Sequence, residues 1–208
     1  DNVEGGAGND TINVNIGADT AEGGAGDDSV VSAAGDDFLY GGDGDDTLFG
    51  GSDNDLLNGG ADNDRLIGDA GNDFVVGGSG NDQLFGGTGQ DTLIGEAGDD
   101  YLQSDGFNDS LDGGDGNDTI LAGFNDDTVL GGAGNDINNT GNQNDSALGG
   151  TGDDQIRGEA GFDTLRGDHR NRVLRPTHDP GRRRHVVGHD PVAALAGPLG
   201  GRMRHHIL

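Results

Sequence analysis

The chain has no cysteine and no tryptophan. Without cysteine, neither a disulfide nor a thiolate metal site is available. There is no lysine, and all six histidines, eight of the 11 basic residues and all four prolines fall after residue 166. Residues 1–166 therefore lack the imidazole, thiol and lysine amine on which most acid–base and nucleophilic catalysis relies. Aromatic residues make up 4% of the chain and hydrophobic residues 30%, less than an ordinary globular core uses. No apolar run reaches the 18 residues of a membrane-spanning helix. The opening DNVEGG has neither a basic nor an apolar leader region, so no cleaved N-terminal signal is expected.

Positive charge is the largest deficit. Three arginines face 36 acidic residues in residues 1–166, a formal charge of −33, and the whole chain carries −28. Such a surface repels nucleic acid and anionic lipid. A chain this charged and this poor in apolar surface stays unfolded in water unless something neutralises it. A cation is the simplest agent.

What the chain has in abundance is glycine, 45 residues of it, set in a nine-residue period. GGDGDDTLF at 41–49 is followed directly by GGSDNDLLN at 50–58. Framed from Gly5, the period runs to Arg166 as 18 units without insertion or deletion. The sixth position is Asp in every unit, and Asp1 fits as the sixth residue of a preceding one. The eighth position is apolar in all but one, where Asn138 stands. Positions seven to nine (TLF, FVV, TIL, TVL) are strand-formers whose middle residue should point inward. Positions one to six, with glycines first, second and fourth, read as a turn. Two units make one coil. Nine coils at about 4.8 Å each give a solenoid about 40 Å long with a thin core of eighth-position side chains. Stacking sets each turn beside the turn 18 residues away, so the sixth-position carboxylates line up in rows. Ca²⁺ suits such rows because it takes six to eight oxygens, carboxylate and carbonyl, in adaptable geometry; Mg²⁺ keeps its waters and demands a stricter octahedron.

GGAGDDSVV, GGSGNDQLF and GGDGNDTIL resemble the RTX, or hemolysin-type, nonapeptide G-G-x-G-x-D-x-U-x. The resemblance covers residues 1–166. It implies an all-β fold, a right-handed parallel β-roll (β-helix) solenoid of about nine two-strand coils. It also implies multiple Ca²⁺ ions between successive turns, held by turn carbonyls and the sixth-position Asp. A secreted, extracellular bacterial protein exported without a cleaved N-terminal signal is the implied setting.

The two sides of the roll differ. Units starting at 5, 23, 41, 59, 77, 95, 113, 131 and 149 form a first row in which seven of nine read G-G-x-G-x-D; Asp62 and Glu96 interrupt the others. In the second row only GGTGQD at 86 is complete, and Val14, Ser32, Ser104, Ala122 and Thr140 replace the first glycine. Phe107 and Gln143 replace the fourth glycine and should resist positive φ; Asp53, Asp62 and Asn125 tolerate it better. The stronger candidate ligands are thus Asp10, Asp28, Asp46, Asp64, Asp82, Asp100, Asp118, Asp136 and Asp154 in the first row, with Asp73 and Asp91 in the second. The weaker ones are Asp19, Asp37, Asp55, Asp109, Asp127, Asp145 and Asp163. Asn138 puts a polar group into the core and marks a weak coil.

Residues 167–208 share neither period nor charge with the array; their formal charge is +5. They read as a basic Arg/His/Pro-rich tail, disordered or translated out of frame. HVVGH at 185–189 has the histidine spacing of a zinc helix but lacks the Glu of H-E-x-x-H. GRRRH at 181–185 could pair with the acidic roll or with an anionic partner. The functional expectation is a non-catalytic module that folds on binding Ca²⁺ outside the cell. The alternatives are a C-terminal fragment of a secreted hydrolase or pore-forming toxin, or the spacer of an extracellular adhesin or surface-layer protein. Any protein or carbohydrate partner is left open.

Overall fold

A computed structural model describes residues 1–167 and 172–174. It contains twenty strands in two ten-stranded parallel sheets and, among the described residues, no helix. Odd-numbered strands, from β1 (Asn2–Ala7) and β3 (Thr20–Ala25) to β19 (Thr164–Arg166), form one sheet; even-numbered strands, from β2 (Thr11–Asn13) to β20 (Arg172–Leu174), form the other. Each strand pairs with the strand one coil on. Apart from one local shift at Gly141, the register step in the array is 18 residues, as in Leu39 with Leu57 and Leu57 with Val75. The chain is a parallel β-solenoid of about nine turns.

The eighth-position side chains form the core as expected. Leu48, Leu57, Leu66, Leu84, Leu93 and Leu102 are fully buried. Burying one such side chain contributes roughly 1.5–3 kcal/mol. The core is one residue wide per strand, so it cannot by itself offset the charge around it.

The strands are longer than the sequence pattern suggests. Every odd strand before β19 has six residues, because positions one to three of the following unit continue the ladder. Only positions four to six make the turn. Strand alternation then carries straight through: positions six, eight and one all point inward. The sixth-position aspartates therefore sit inside the wall of the roll.

The even sheet shows where this fails. β2, β4 (Ser29–Val31), β12 (Tyr101–Gln103) and β14 (Thr119–Leu121) stop after three residues. The next residues are Val14, Ser32, Ser104 and Ala122, four of the five that replace a first glycine. β6 (Thr47–Ser52), β8 (Arg65–Ala70) and β10 (Gln83–Thr88) keep that glycine and keep six residues. At the fifth replacement, Thr140, β16 (Ile137–Asn142) continues, but its pairing with β18 (Gln155–Ala160) shifts register between Asn139 and Gly141.

Beyond the array, β20 adds one more strand to the even sheet, and Val173 takes the inward seat beside Ile156. The expectations for the remainder of the tail lie outside the described residues.

Candidate metal centre

Seventeen of the eighteen sixth-position aspartates, Asp19 to Asp163, are buried, and Asp10 is half-buried. Their backbone and one carboxylate oxygen are committed to the stack. Each amide N–H donates to the Oδ1 of the aspartate one coil on: Asp64 to Asp82 and Asp82 to Asp100, both at 2.8 Å, and likewise Asp91 to Asp109 at 2.8 Å. Each carbonyl accepts from the seventh-position N–H of the next coil, as from Tyr101 to Asp82 at 2.9 Å. The aspartates of each row thus form a continuous ladder on either side of the roll, opened on the second side by the chain's amino group on Asp19.

The other oxygen, Oδ2, is left over. It is buried without a hydrogen-bond partner in Asp10, Asp28, Asp46, Asp64, Asp82, Asp100, Asp118 and Asp136 of the first row. The same holds for Asp19, Asp55, Asp73, Asp91, Asp109, Asp127 and Asp145 of the second. A buried anionic oxygen with no donor is costly, and rows of them are more so. The carboxyl groups register this cost. Burial, followed by the charges of nearby aspartates, pushes Asp46, Asp91, Asp118 and Asp136 up to about 6 and Asp55, Asp100 and Asp127 up to about 7. Asp64, between Asp46 and Asp82, is pushed up to about 8. In each the N–H from the preceding coil pulls the other way and loses to burial.

The first glycine makes room for this oxygen. A β-carbon at a first-position glycine would lie no more than 2.8 Å from the Oδ2 of the aspartate five residues on, at every one from Gly5 to Gly131 and again at Gly158. At Gly5, Gly23, Gly41, Gly59, Gly68, Gly95, Gly113 and Gly131 it would also lie within 2.7 Å of the carbonyl oxygen of the first glycine one coil later. A carboxylate oxygen and a carbonyl oxygen from successive coils therefore converge on one small cradle. Among the described residues, no three His, Cys, Asp or Glu side chains group into a self-contained metal site. The donor set here is a carboxylate with backbone carbonyls, which suits a hard, adaptable cation such as Ca²⁺ and fits the orphaned oxygens.

The family model for the RTX calcium-binding nonapeptide repeat (four copies) matches residues 1–30, 22–57, 40–75, 49–84, 76–111, 103–137 and 139–168. The chain belongs to this family. Its nonapeptide repeats are calcium-binding, and an array of them takes multiple Ca²⁺ ions. A solenoid of such repeats is not in itself catalytic. No curated protein matches the chain. No helix among the described residues is long and apolar enough to cross a membrane.

Where the first glycine of the RTX unit is replaced, the cradle is filled. Val14, Ser32, Ser104, Ala122 and Thr140 all point inward and are buried. The Ser32 hydroxyl donates to the Asp37 Oδ2, which removes the orphan there. Ser104 instead donates to the Ala122 carbonyl at 2.7 Å and leaves the Asp109 Oδ2 without a donor, although the nearby hydroxyl still draws the Asp109 carboxyl down against the larger rise from burial.

Two expectations need correction. Phe107 and Gln143 do not resist the turn; both adopt positive φ, 81° each, as do Asp53, Asp62, Asp69, Glu96 and Asn125. The stack on either side fixes the backbone and overrides the residue's own preference. Nor are positions one to three turn residues, because the ladder runs through them.

One ladder escaped the sequence reading. Fifth-position side chains on the rim accept the N–H of the fifth residue one coil later. Asn63 accepts from Asn81 at 2.9 Å, Asn81 from Asp99 at 2.7 Å, and Asp99 from Asn117 at 2.7 Å. It runs opposite in sense to the sixth-position ladder and needs no cation. The N–H groups of Asn117 hold the Asp99 carboxyl below the usual carboxylate range. Its signal was present in the sequence: the fifth position is Asn or Asp in all nine first-row units.

Proposed function

We propose that this RTX array is a calcium-triggered folding module that acts outside the cell as part of a secreted protein. The observation that carries the reading is the pair of rows of buried Oδ2 atoms, partnerless from Asp10 to Asp136 in the first row and in most of the second, with a first-position carbonyl from the next coil beside eight of the cradles. The ligands in this reading are Oδ2 of Asp10, Asp28, Asp46, Asp64, Asp82, Asp100, Asp118, Asp136 and Asp154 in the first row and of Asp73 and Asp91 in the second. Gly50 leaves the same open space beside the Asp55 Oδ2, so Asp55 joins them. Asp37 is served by Ser32 and drops out; Asp19, Asp109, Asp127 and Asp145, with a side chain in the cradle, remain weak, and so does Asp163.

Bound calcium would neutralise adjacent carboxylates and so supply folding free energy that the thin core lacks. The chain's own part is to set carboxylate and carbonyl oxygens at matched heights in successive coils. With affinity near the extracellular range, about 10⁻⁴ to 10⁻³ M, the array stays unfolded in cytosol and folds after export. Circular dichroism of the chain in excess chelator and across a Ca²⁺ titration tests this. The expected result is little β structure in chelator and a cooperative gain with Ca²⁺ but not with equal Mg²⁺. A full β spectrum in chelator at neutral pH would sink it.

A further inference from the structure

We propose that Asn138 is a side-chain calcium ligand of the turn that ends in Asp136, which rests on calcium binding by the sixth-position carboxylates. Asn138 stands alone among eighth-position residues in being polar. It is 1% exposed, and neither its Nδ2 nor its Oδ1 has a hydrogen-bond partner. The Asp136 Oδ2 is likewise buried and unpartnered. Three polar atoms meet at Gly131. A β-carbon there would lie 2.6 Å from the Asp136 Oδ2, 2.8 Å from the Asn138 Nδ2, and closer still to the Gly149 carbonyl oxygen. At Gly158 the corresponding approach from the eighth position is a methyl carbon of Leu165, at 3.0 Å. The carboxamide is thus turned into the cradle, in the place where the unit starting at Gly158 puts hydrocarbon.

The amide chemistry fits both states of the turn. A carboxamide offers N–H on one edge and a hard oxygen on the other, and a half-turn about its Cβ–Cγ bond exchanges them. With the nitrogen inward it faces a bare carboxylate. With the oxygen inward it adds a neutral ligand of the kind Ca²⁺ accepts from asparagine. This turn then carries one more oxygen than its neighbours, without more charge. The buried amide is not a defect of the core but a ligand whose partner is the ion.

The test uses the full chain with Asn138→Leu, which restores the commonest eighth-position residue, and Asn138→Ala. Bound Ca²⁺ per chain is measured by equilibrium dialysis, alongside the Ca²⁺ midpoint of the β signal. Both variants should bind one ion more weakly than the parent does, and Asn138→Leu should fold at a higher midpoint despite its better core. If both bind every ion as tightly as the parent, or if Asn138→Leu simply folds at lower Ca²⁺, the assignment is overturned while calcium binding by the array stands. A parent chain that binds no Ca²⁺ would overturn the reading of the array itself.

Discussion

The two rows of turns lie on one roll, carry the same buried aspartates and differ mainly at a single position. In the first row the first residue is always glycine, and every strand leading into these turns has six residues. In the second row five of nine are not, and at four of those the strand ends after three. The lesson is that this glycine serves space more than backbone conformation. Positive φ is found at Gly6, Gly24 and Gly42 in the second position and at Gly8, Gly26 and Gly44 in the fourth. The first glycine instead leaves open the volume into which a carboxylate and a carbonyl oxygen project. A side chain there either blocks the cradle, as Val14 and Ala122 do, or replaces the missing partner, as the Ser32 hydroxyl does.

Acid should erase the difference between the rows, and it has the largest expected effect because it acts on all the carboxylates. Buried aspartates of both rows have folded-state values of about 6 to 8, against about 4 unfolded. The metal-free folded state therefore binds more protons than the unfolded chain across that window. Stability from this source is fully present below about pH 4 and is lost as pH rises through the folded values. In chelator, the chain should gain β structure between pH 8 and pH 5 and lose it reversibly on return. In Ca²⁺ the sense inverts: binding displaces protons, so the Ca²⁺ midpoint should rise as pH falls. A chelated chain with the same spectrum at pH 8 and pH 5 would show that the buried carboxylates do not oppose folding.

Deleting one carboxylate from each row probes the comparison more finely. Asp82 and Asp109 each accept one N–H through Oδ1, both at 2.8 Å, so alanine costs each the same ladder bond. They differ at the first position, glycine at 77 and serine at 104. Asp82→Ala should raise the Ca²⁺ midpoint clearly, because the ladder bond and the cradle are lost together, at about 1–3 kcal/mol. Asp109→Ala should raise it less, since its turn gives up a hydrogen bond but no well-formed site. Equal shifts in the two titrations would mean that the glycine pattern does not decide which turns hold an ion.

Much of this was legible in the sequence. An aspartate held in phase over 18 units and an aliphatic residue two places on specify parallel stacking, the strand register and an inward eighth position. The same alternation, carried two residues further each way, would have placed the sixth and first positions inside as well. Reading the glycines only as turn-formers hid this. The contacts that matter at Gly41, with Asp46 in its own unit and with Gly59 one coil on, are volumes, and the letter G does not distinguish spare volume from positive φ. The fifth-position ladder was missed for a related reason. Asn81 and Asn117 look like ordinary solvated turn residues until the neighbouring coil brings a backbone N–H to them. Phe107 misled in the other direction, because its own preference is weaker than the two coils that enclose it.

That residue supplies the smallest test of the comparison. Among the described residues, seven other than glycine hold positive φ; Asp62 and Glu96 are in the first row, and Asp53, Asp69, Phe107, Asn125 and Gln143 in the second. The second row thus carries more backbone strain as well as fewer open cradles. Phe107 is the clearest instance: a bulky side chain at φ 81°, 55% exposed, with little packing to offset it. A left-handed conformation at a residue of this type costs on the order of 1–3 kcal/mol. Glycine removes that strain but gives back unfolded-state entropy of about 0.4–1 kcal/mol. Phe107→Gly should therefore stabilise the array by about 1 kcal/mol, seen as a lower Ca²⁺ midpoint and a higher melting temperature at fixed Ca²⁺. Asn125→Gly, at φ 82° in the next second-row turn, should gain less, because asparagine tolerates this region. If Asn125→Gly stabilises as much as Phe107→Gly, the gain comes from relieving crowding between coils, and strain at Phe107 is not what separates the second row from the first.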